Sequence, residues 1–188
     1  MITREEASQI KEQLLQLLAE DTKNTDRVLA RLDAREFSLD TRRADVREVV
    51  AETVAAFEPS AAEWGVRLEL APGDAADAEI DPERIAQIVA NLVENALKYA
   101  RTFVRADVAV TRDAIEVRVD DDGPGIPEAE RARVLERLYT ARGAPSRKVG
   151  TGIGLAIVHE LAGAMGGSAS CDSLPEGGTR FSVRLPGR

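Results

Sequence analysis

The stretch of sequence that decides the fold is Asn91-Leu-Val-Glu-Asn95-Ala-Leu-Lys98-Tyr99. On a helix, this spacing places two neutral amides and an ammonium along one stripe and leaves a separate apolar stripe for packing. Farther along the chain are Asp121-Asp-Gly-Pro-Gly125 and the alternating glycines of residues 150–155. A polar helix stripe, an aspartate before a glycine turn and a glycine-rich helix entry, in this order, indicate a nucleotide-binding site.

The helix that carries the polar stripe is predicted to begin at Asp81-Pro82 and to end near Ala100. Aspartate is a good N-cap, and proline is favoured at the first helical position. An asparagine oxygen can bind Mg²⁺ without adding an anion beside a triphosphate, and the lysine about one turn later can neutralise phosphate charge. Taken alone, the stripe is equally consistent with solvated asparagines on a surface helix. The apolar stripe comprises Ile85, Ile88, Leu92 and Ala96, and the polar stripe comprises Arg84, Gln87, Asn91, Asn95 and Lys98.

The two glycine motifs have chemistry that suits the two ends of a nucleotide. A carboxylate at a strand end, here Asp121, can accept from an exocyclic amine such as that of adenine, while Gly123 and Gly125 let the backbone approach the base. Asp-Gly and Pro-Gly are also ordinary turn formers. The glycines at 150, 152 and 154 enter an apolar helix, where backbone N–H groups bind phosphate. The Rossmann, Walker and protein-kinase motifs are absent from the sequence.

Other candidate groups are few. The segment between Tyr139 and Gly150 is basic in an acidic chain, and we interpret it as a lid over the phosphates, with a solvated loop as the alternative. The single histidine, His159, excludes an internal set of catalytic histidines and is expected to have a structural or surface role. The single cysteine, Cys171, cannot form an internal disulfide and is expected to be a buried strand residue.

Composition limits the function classes. The chain has 188 residues, of which 44% are hydrophobic and 31% charged, enough for one sizeable core or one domain with an appendage. A net charge of −8 argues against general binding to nucleic acid or to anionic membranes. No apolar run is long enough to span a bilayer, and no signal peptide begins the chain. A reducing, cytosolic setting is consistent with the single cysteine.

The order of predicted elements favours an α+β two-layer sandwich, with a mixed sheet that has helices on one face. Residues 1–36 are predicted to be a long helix that packs on a partner helix, and residues 37–188 the main domain. Strands are predicted at 37–39, 66–70, 103–111, 115–120, 168–172 and 179–185, and further helices at 45–59, 127–138 and 153–165.

The three motifs together resemble the catalytic ATP-binding domain of sensor histidine kinases, within the superfamily that includes DNA gyrase and the heat-shock chaperone ATPases. The resemblance covers about residues 37–188 and implies the Bergerat fold, with ATP under a lid. By this likeness, Asn95 holds Mg²⁺, Asp121 accepts from adenine N6, and Asn91 and Lys98 are catalytic. The residues implied to contact ATP are Asn91, Asn95, Lys98, Tyr99, Asp121, Gly123, Gly125, Ile126, Tyr139, Arg142, Arg147, Lys148, Gly150, Thr151, Gly152, Ile153, Gly154, Leu155 and Thr179.

Two features depart from the family pattern. Leu138 stands where the family's F box usually has phenylalanine, so this departure concerns lid anchoring and not nucleotide binding. The phosphoacceptor histidine of the family is absent from this sequence, and residues 1–36 resemble the second helix of the dimerisation hairpin. The chain thus looks like a kinase that begins after its first helix, or a naturally acceptor-less one.

The resemblance implies phosphoryl transfer from MgATP to a histidine outside this chain and then to an aspartate of a response regulator. It also suggests a homodimer through the N-terminal helix and a cytoplasmic part of a bacterial, membrane-anchored parent. Related ATPases carry a water-activating glutamate at the position of Asn91, and an amide cannot accept that proton. Anti-sigma serine kinases of the same superfamily typically carry glutamate at this position as well, so Asn91 disfavours that function. Two alternatives stay open: an ATPase or ATP-driven switch, and a docking module that binds ATP without catalysis.

Overall fold

A five-stranded mixed sheet organises the part of the chain that the computed structural model describes, residues 39–111, 113–131, 133–135 and 153–187. The strands are β1 (Arg42–Asp45), β2 (Arg67–Leu70), β3 (Asp77–Ile80), β4 (Phe103–Val110), β5 (Ala114–Asp121), β6 (Ser168–Ser173) and β7 (Thr179–Pro186). The helices are α1 (Val46–Ala56), α2 (Glu58–Glu63), α3 (Pro82–Tyr99), α4 (Glu128–Arg131) and α5 (Gly154–Ala164).

The sheet has the strand order β2-β4-β5-β7-β6. Strand β2 runs parallel to β4, and the other neighbours are antiparallel. Strands β1 and β3 form a separate antiparallel pair, with Arg42 opposite Ile80. A sheet of mixed direction with helices packed against it is the predicted α+β sandwich, and this prediction is confirmed.

Helices α1, α3 and α5 pack against the five-stranded sheet. The predicted apolar stripe of α3 is buried, and Ile85, Ile88 and Leu92 are at most 1% exposed. In β5, burial alternates along the strand, so that Val117 and Val119 face the helices. The core therefore lies between α3, α5 and one face of the sheet.

The other face of the sheet carries paired charges. Arg180 of β7 donates two hydrogen bonds to Asp120, the residue opposite it on β5, at 2.7 and 2.6 Å. Arg118 contacts Glu116 on its own strand and Asp107 on β4. The two hydrogen bonds between Arg180 and Asp120 fix the relative orientation of these side chains as well as pairing their charges. The partly exposed ion pairs of Arg118 contribute little to stability.

Several predicted boundaries need correction. The helix predicted over 45–59 ends at Ala56, and a second helix begins at Glu58, because Pro59 cannot donate an N–H to continue the first. The strand predicted at 37–39 is wrong at Leu39, which lies outside any strand, while residues 37 and 38 lie outside the described residues. Among the described residues, strand pairing begins at Arg42. Of the helix predicted over 127–138, the described residues are helical at Glu128–Arg131 and form a turn at 133–135.

Some predictions fall outside the described residues. The helix over residues 1–36 and most of the glycine-rich segment belong to this group. None of the helices formed by the described residues combines the length and the apolarity that crossing a bilayer requires.

Two helix caps also tie distant parts of the chain together. Asp45 Oδ1 caps α1 by accepting from the Arg47 N–H, and it also accepts from the N–H of Ala76. Asp81, only 4% exposed, caps α3, and its second oxygen accepts from the Asp40 N–H at 3.0 Å. Each carboxylate therefore holds a helix start and a separate segment in one place.

Replacement of Asp81 by alanine is expected to lower the free energy of unfolding by about 2 kcal/mol, because the first turn of α3 loses its cap and a part-buried N–H loses its acceptor. Urea denaturation at neutral pH measures the loss. The matched control is Asp77→Ala, which removes only an exposed ion pair with Arg43. Equal losses in the two variants would contradict the role assigned to Asp81.

Candidate functional site

The polar stripe of α3 meets the start of α5. Asn91 is half-buried, and its Nδ2 donates to the carbonyl oxygen of Gln87 at 2.8 Å. Its Oδ1 lies 2.8 Å from the point that a Cβ on Gly154 would occupy. The structure therefore brings together two of the predicted site residues, one from the helix motif and one from the glycine motif.

A buried carboxylate lies where β5 ends. Asp121 is 1% exposed, and its Oδ1 accepts from the N–H of Gly123 at 2.8 Å. The N–H of Thr179, itself 4% exposed, donates to the same carboxyl group. Backbone donors from the turn after β5 and from the first residue of β7 thus orient this side chain.

The environment of Asp121 shifts its proton affinity. Burial raises the pKa of the Asp121 carboxyl to about 6, and the nearby charges of Asp122 and Asp120 act in the same direction. The N–H groups of Gly123 and Thr179 lower that pKa and only partly offset the burial. The group is therefore an ionised acceptor above pH 6 and a proton donor below it.

Glycines allow the backbone to close around this carboxylate. A Cβ on Gly123 would lie 2.6 Å from Asp121 Oδ1 and 2.9 Å from the carbonyl oxygen of Tyr99, at the end of α3. Gly178 has a φ of +102°, and a Cβ there would overlap the carbonyl oxygen of Asp121. Gly125, with a φ of +76°, lies beside the Gly178 carbonyl. The turn before β7 and the turn after β5 therefore pack backbone against backbone.

The remaining predicted residues are placed as follows. Asn95 and Lys98 are half-buried on α3, and Lys98 Nζ lies 5.2 Å from the centre of the Tyr99 ring. Burial raises the pKa of Tyr99. The positions that lie outside the described residues are Tyr139, Arg142, Arg147, Lys148, Gly150, Thr151 and Gly152.

The start of α5 is apolar apart from its backbone. Ile153, 5% exposed, holds the N-cap position, and its side chain cannot accept from the first N–H groups of the helix. Leu155 is half-buried one residue into the helix.

Ile126 is also half-buried, and its carbonyl oxygen accepts from Arg131 Nε at 3.1 Å. His159 is exposed and Cys171 is buried in β6, as predicted for both.

Asp122 has a role that sequence reasoning missed. Its carboxylate accepts from the N–H groups of Arg101, Thr102 and Phe103 and from the Thr102 hydroxyl. Partial burial would by itself raise the pKa of Asp122, but these donors outweigh it and lower the pKa to about 2. Strand alternation could have indicated this role, because successive side chains point to opposite faces and Asp122 therefore points away from Asp121. Asp122 anchors the loop between α3 and β4 to the end of β5.

Comparison with known proteins identifies related chains. The sequence profile of the histidine kinase-, DNA gyrase B- and HSP90-like ATPases matches residues 80–188. The chain is 36% identical over 171 residues to the signal transduction histidine-protein kinase AfsQ2 of Streptomyces coelicolor, covering 90% of this chain and 32% of that protein. It is 39% identical over 107 residues to the sensor-type histidine kinase PrrB of Mycobacterium tuberculosis, covering 56% of this chain and 24% of that protein. The chain thus spans about a third or less of these relatives.

Solved structures of similar fold include full-length ShkA in complex with AMPPNP, with a TM-score of 0.79, 27% identity and coverage of 100% of this chain and 40% of that one. The ATP-binding domain of PrrB from Mycobacterium tuberculosis gives a TM-score of 0.64 at 28% identity, with coverage of 79% of this chain and 98% of that one.

Asp122 makes a pH-dependent contribution to stability. Its folded pKa of about 2 lies below the ordinary 3.8, so this contribution is complete above about pH 4 and is lost as the pH falls toward 2. Asp122→Ala is expected to cost about 1–2 kcal/mol at pH 6, after allowance for partial exposure, and less at pH 3. Urea denaturation at both pH values measures this, with the exposed loop residue Asp74→Ala as control. A deficit that does not depend on pH would contradict the assignment.

Proposed function

This chain belongs to the histidine kinase-, DNA gyrase B- and HSP90-like ATPase family, and from that premise we propose that it is the ATP-binding catalytic part of a two-component sensor histidine kinase. The observation that carries the proposal is the buried Asp121 carboxylate, held by the N–H groups of Gly123 and Thr179. In this proposal, residues 37–188 are the catalytic domain, and residues 1–36 correspond to the second helix of a dimerisation hairpin that supports a homodimer.

Asp121 recognises the base. Above pH 6 its carboxylate is an acceptor that suits the exocyclic amine of adenine. A buried anion is costly unless it is hydrogen-bonded, and an adenine amine adds a donor to the two from Gly123 and Thr179. The glycine turns at 123–125 and 177–178 leave room for the base to approach the backbone.

The magnesium and phosphate sites lie along α3 and α5. Mg²⁺ takes most of its ligands from phosphates and water and one or two from protein oxygens, and Asn95 is the protein oxygen in this proposal. When bound, Mg²⁺ neutralises charge that develops on the transferred phosphoryl group. Lys98 adds a cation, and the backbone N–H groups at the start of α5 add further donors.

Asn91 is the reason why we assign transfer of the γ-phosphoryl group to a protein, instead of hydrolysis of ATP. Its amide cannot act as a general base, and its Nδ2 is already bonded to the Gln87 carbonyl. Phosphoryl transfer needs positioning and charge neutralisation more than a strong base. An acceptor imidazole nitrogen then bonds to the γ-phosphorus while the bond to the bridging oxygen breaks and ADP leaves.

The acceptor histidine lies outside residues 1–188. His159 is the only histidine of the sequence, and it is exposed on α5. We propose that a first dimerisation helix supplies the acceptor, and that a response regulator aspartate then receives the phosphoryl group. The domain would act on the cytoplasmic side of a membrane-anchored parent. The proposal also assigns base or phosphate contacts to Tyr139, Arg142, Arg147 and Lys148, which lie outside the described residues.

Two other functions compete with this one. An ATPase or ATP-driven switch of the same family would hydrolyse ATP rapidly without an acceptor. A docking module would bind ATP and transfer nothing.

The decisive experiment incubates the chain with γ-labelled ATP, Mg²⁺ and a separate polypeptide carrying a histidine-containing first helix. Label is expected on that polypeptide through an acid-labile bond, with slow release of free phosphate. Rapid phosphate release without acceptor labelling would favour the ATPase, and bound ATP with neither reaction would favour the docking module.

Asn95→Ala in the same assay is expected to lower acceptor labelling at least about a hundredfold, because Mg²⁺ loses its protein oxygen. The matched control is Glu94→Ala, an exposed neighbour on α3 that should keep nearly full activity. Far-ultraviolet circular dichroism checks that both variants fold. Unchanged Mg²⁺-dependent ATP affinity in Asn95→Ala would reject the metal role.

A further inference from the structure

The Asn91 side chain is held by a hydrogen bond at Nδ2, and its Oδ1 lies against the first residue of α5. Nδ2 donates to the Gln87 carbonyl four residues earlier on α3, at 2.8 Å. The Gln87 side chain is engaged elsewhere, because its Oε1 accepts from Arg84 Nη1 at 3.1 Å. The bond to the Gln87 carbonyl directs Nδ2 back along α3, and Oδ1 therefore projects toward α5.

Gly154 is the residue that receives this side chain. It is the first residue of α5, and a Cβ there would lie 2.8 Å from Asn91 Oδ1, closer than a carbon and an oxygen tolerate. The atom in the way is the end of a side chain that can rotate, so a larger residue at 154 would displace the Asn91 side chain. The contact between this side chain and the first residue of α5 thus depends on glycine.

We propose that Asn91 is a positioning residue that sets the start of α5 against α3, and that Gly154 is the space into which it fits. This inference rests on the proposed function, and it adds a contact within the protein to the role of Asn91. Asn95 and Lys98 follow Asn91 on α3, one and two turns later, while the phosphate-binding N–H groups begin α5. Asn91 therefore fixes the separation between the metal ligand and the phosphate donors.

The positioning role of Asn91 affects the affinity for the phosphates of ATP. An unsupported start of α5 moves relative to α3, and phosphate donors then lose their alignment with the magnesium ligand. Adenine is held elsewhere, by Asp121 at the end of β5, and does not depend on α5. Loss of the Asn91 contact should thus weaken the binding of MgATP and leave adenosine binding unchanged.

A double-mutant cycle tests the proposal. Calorimetry measures MgATP and adenosine affinity for the unmodified chain, Asn91→Ala, Gly154→Ala and the double variant. Each single variant is expected to weaken MgATP binding about tenfold, and the double variant by about the same factor, because both remove one contact. Adenosine affinity should stay within about twofold throughout. The matched control is Gly163→Ala, on the same helix, where an added Cβ meets nothing within 4 Å; it should bind MgATP normally.

If the losses of MgATP affinity in the two single variants multiply in the double variant, to about a hundredfold, the proposal is overturned. Asn91 would then act independently of Gly154. Equal losses of adenosine and MgATP binding would also overturn it, because they indicate general damage. The cycle reads binding alone, so a chain that binds MgATP but labels no acceptor rejects the proposed function and leaves this inference standing. Failure of the unmodified chain to bind MgATP would reject both.

Discussion

The burial of one carboxylate, that of Asp121, is the constraint on which the site depends. A buried anion is tolerated only when donors surround it, and here the donors are backbone N–H groups of Gly123 and Thr179. For those donors to reach it, the turn after β5 must pass under the end of α3, and the turn before β7 must lie on the carbonyl of Asp121 itself. Neither approach leaves room for a Cβ at Gly123 or Gly178.

The three consecutive aspartates at the end of β5, Asp120 to Asp122, make different contacts. Asp120 faces the charged side of the sheet and pairs with Arg180, whereas Asp121 faces the helices. Asp122 turns away again and holds the loop that leads from α3 into β4. The Arg180 pair of Asp120 and the hydrogen bonds of Asp122 hold the strand end and the loop in position on either side of the buried Asp121 carboxylate.

Local signals in the sequence predicted much of this structure. The Asp81-Pro82 start of α3, its two stripes and the glycine turn after Asp121 depend on residues within a few positions of one another, and each is found where predicted. Features that depend on distant partners were not predictable. The β1–β3 pair joins segments about 35 residues apart, and its strands have only four residues each. The direction of the Asn91 amide likewise depends on Gly154, and the anchoring role of Asp122 depends on a loop 20 residues earlier.

The central claim is that the Asp121 carboxylate reads the exocyclic amine of adenine. It is tested most directly by comparing the affinities of ATP and inosine triphosphate at pH 7.5 in the presence of Mg²⁺. The two nucleotides carry the same phosphates, but inosine replaces the amine by an oxygen, which would face an ionised and buried carboxylate. The account predicts that ATP binds at least about a hundredfold more tightly, since a buried polar group left unpaired discriminates strongly. Equal affinities for the two nucleotides would contradict it.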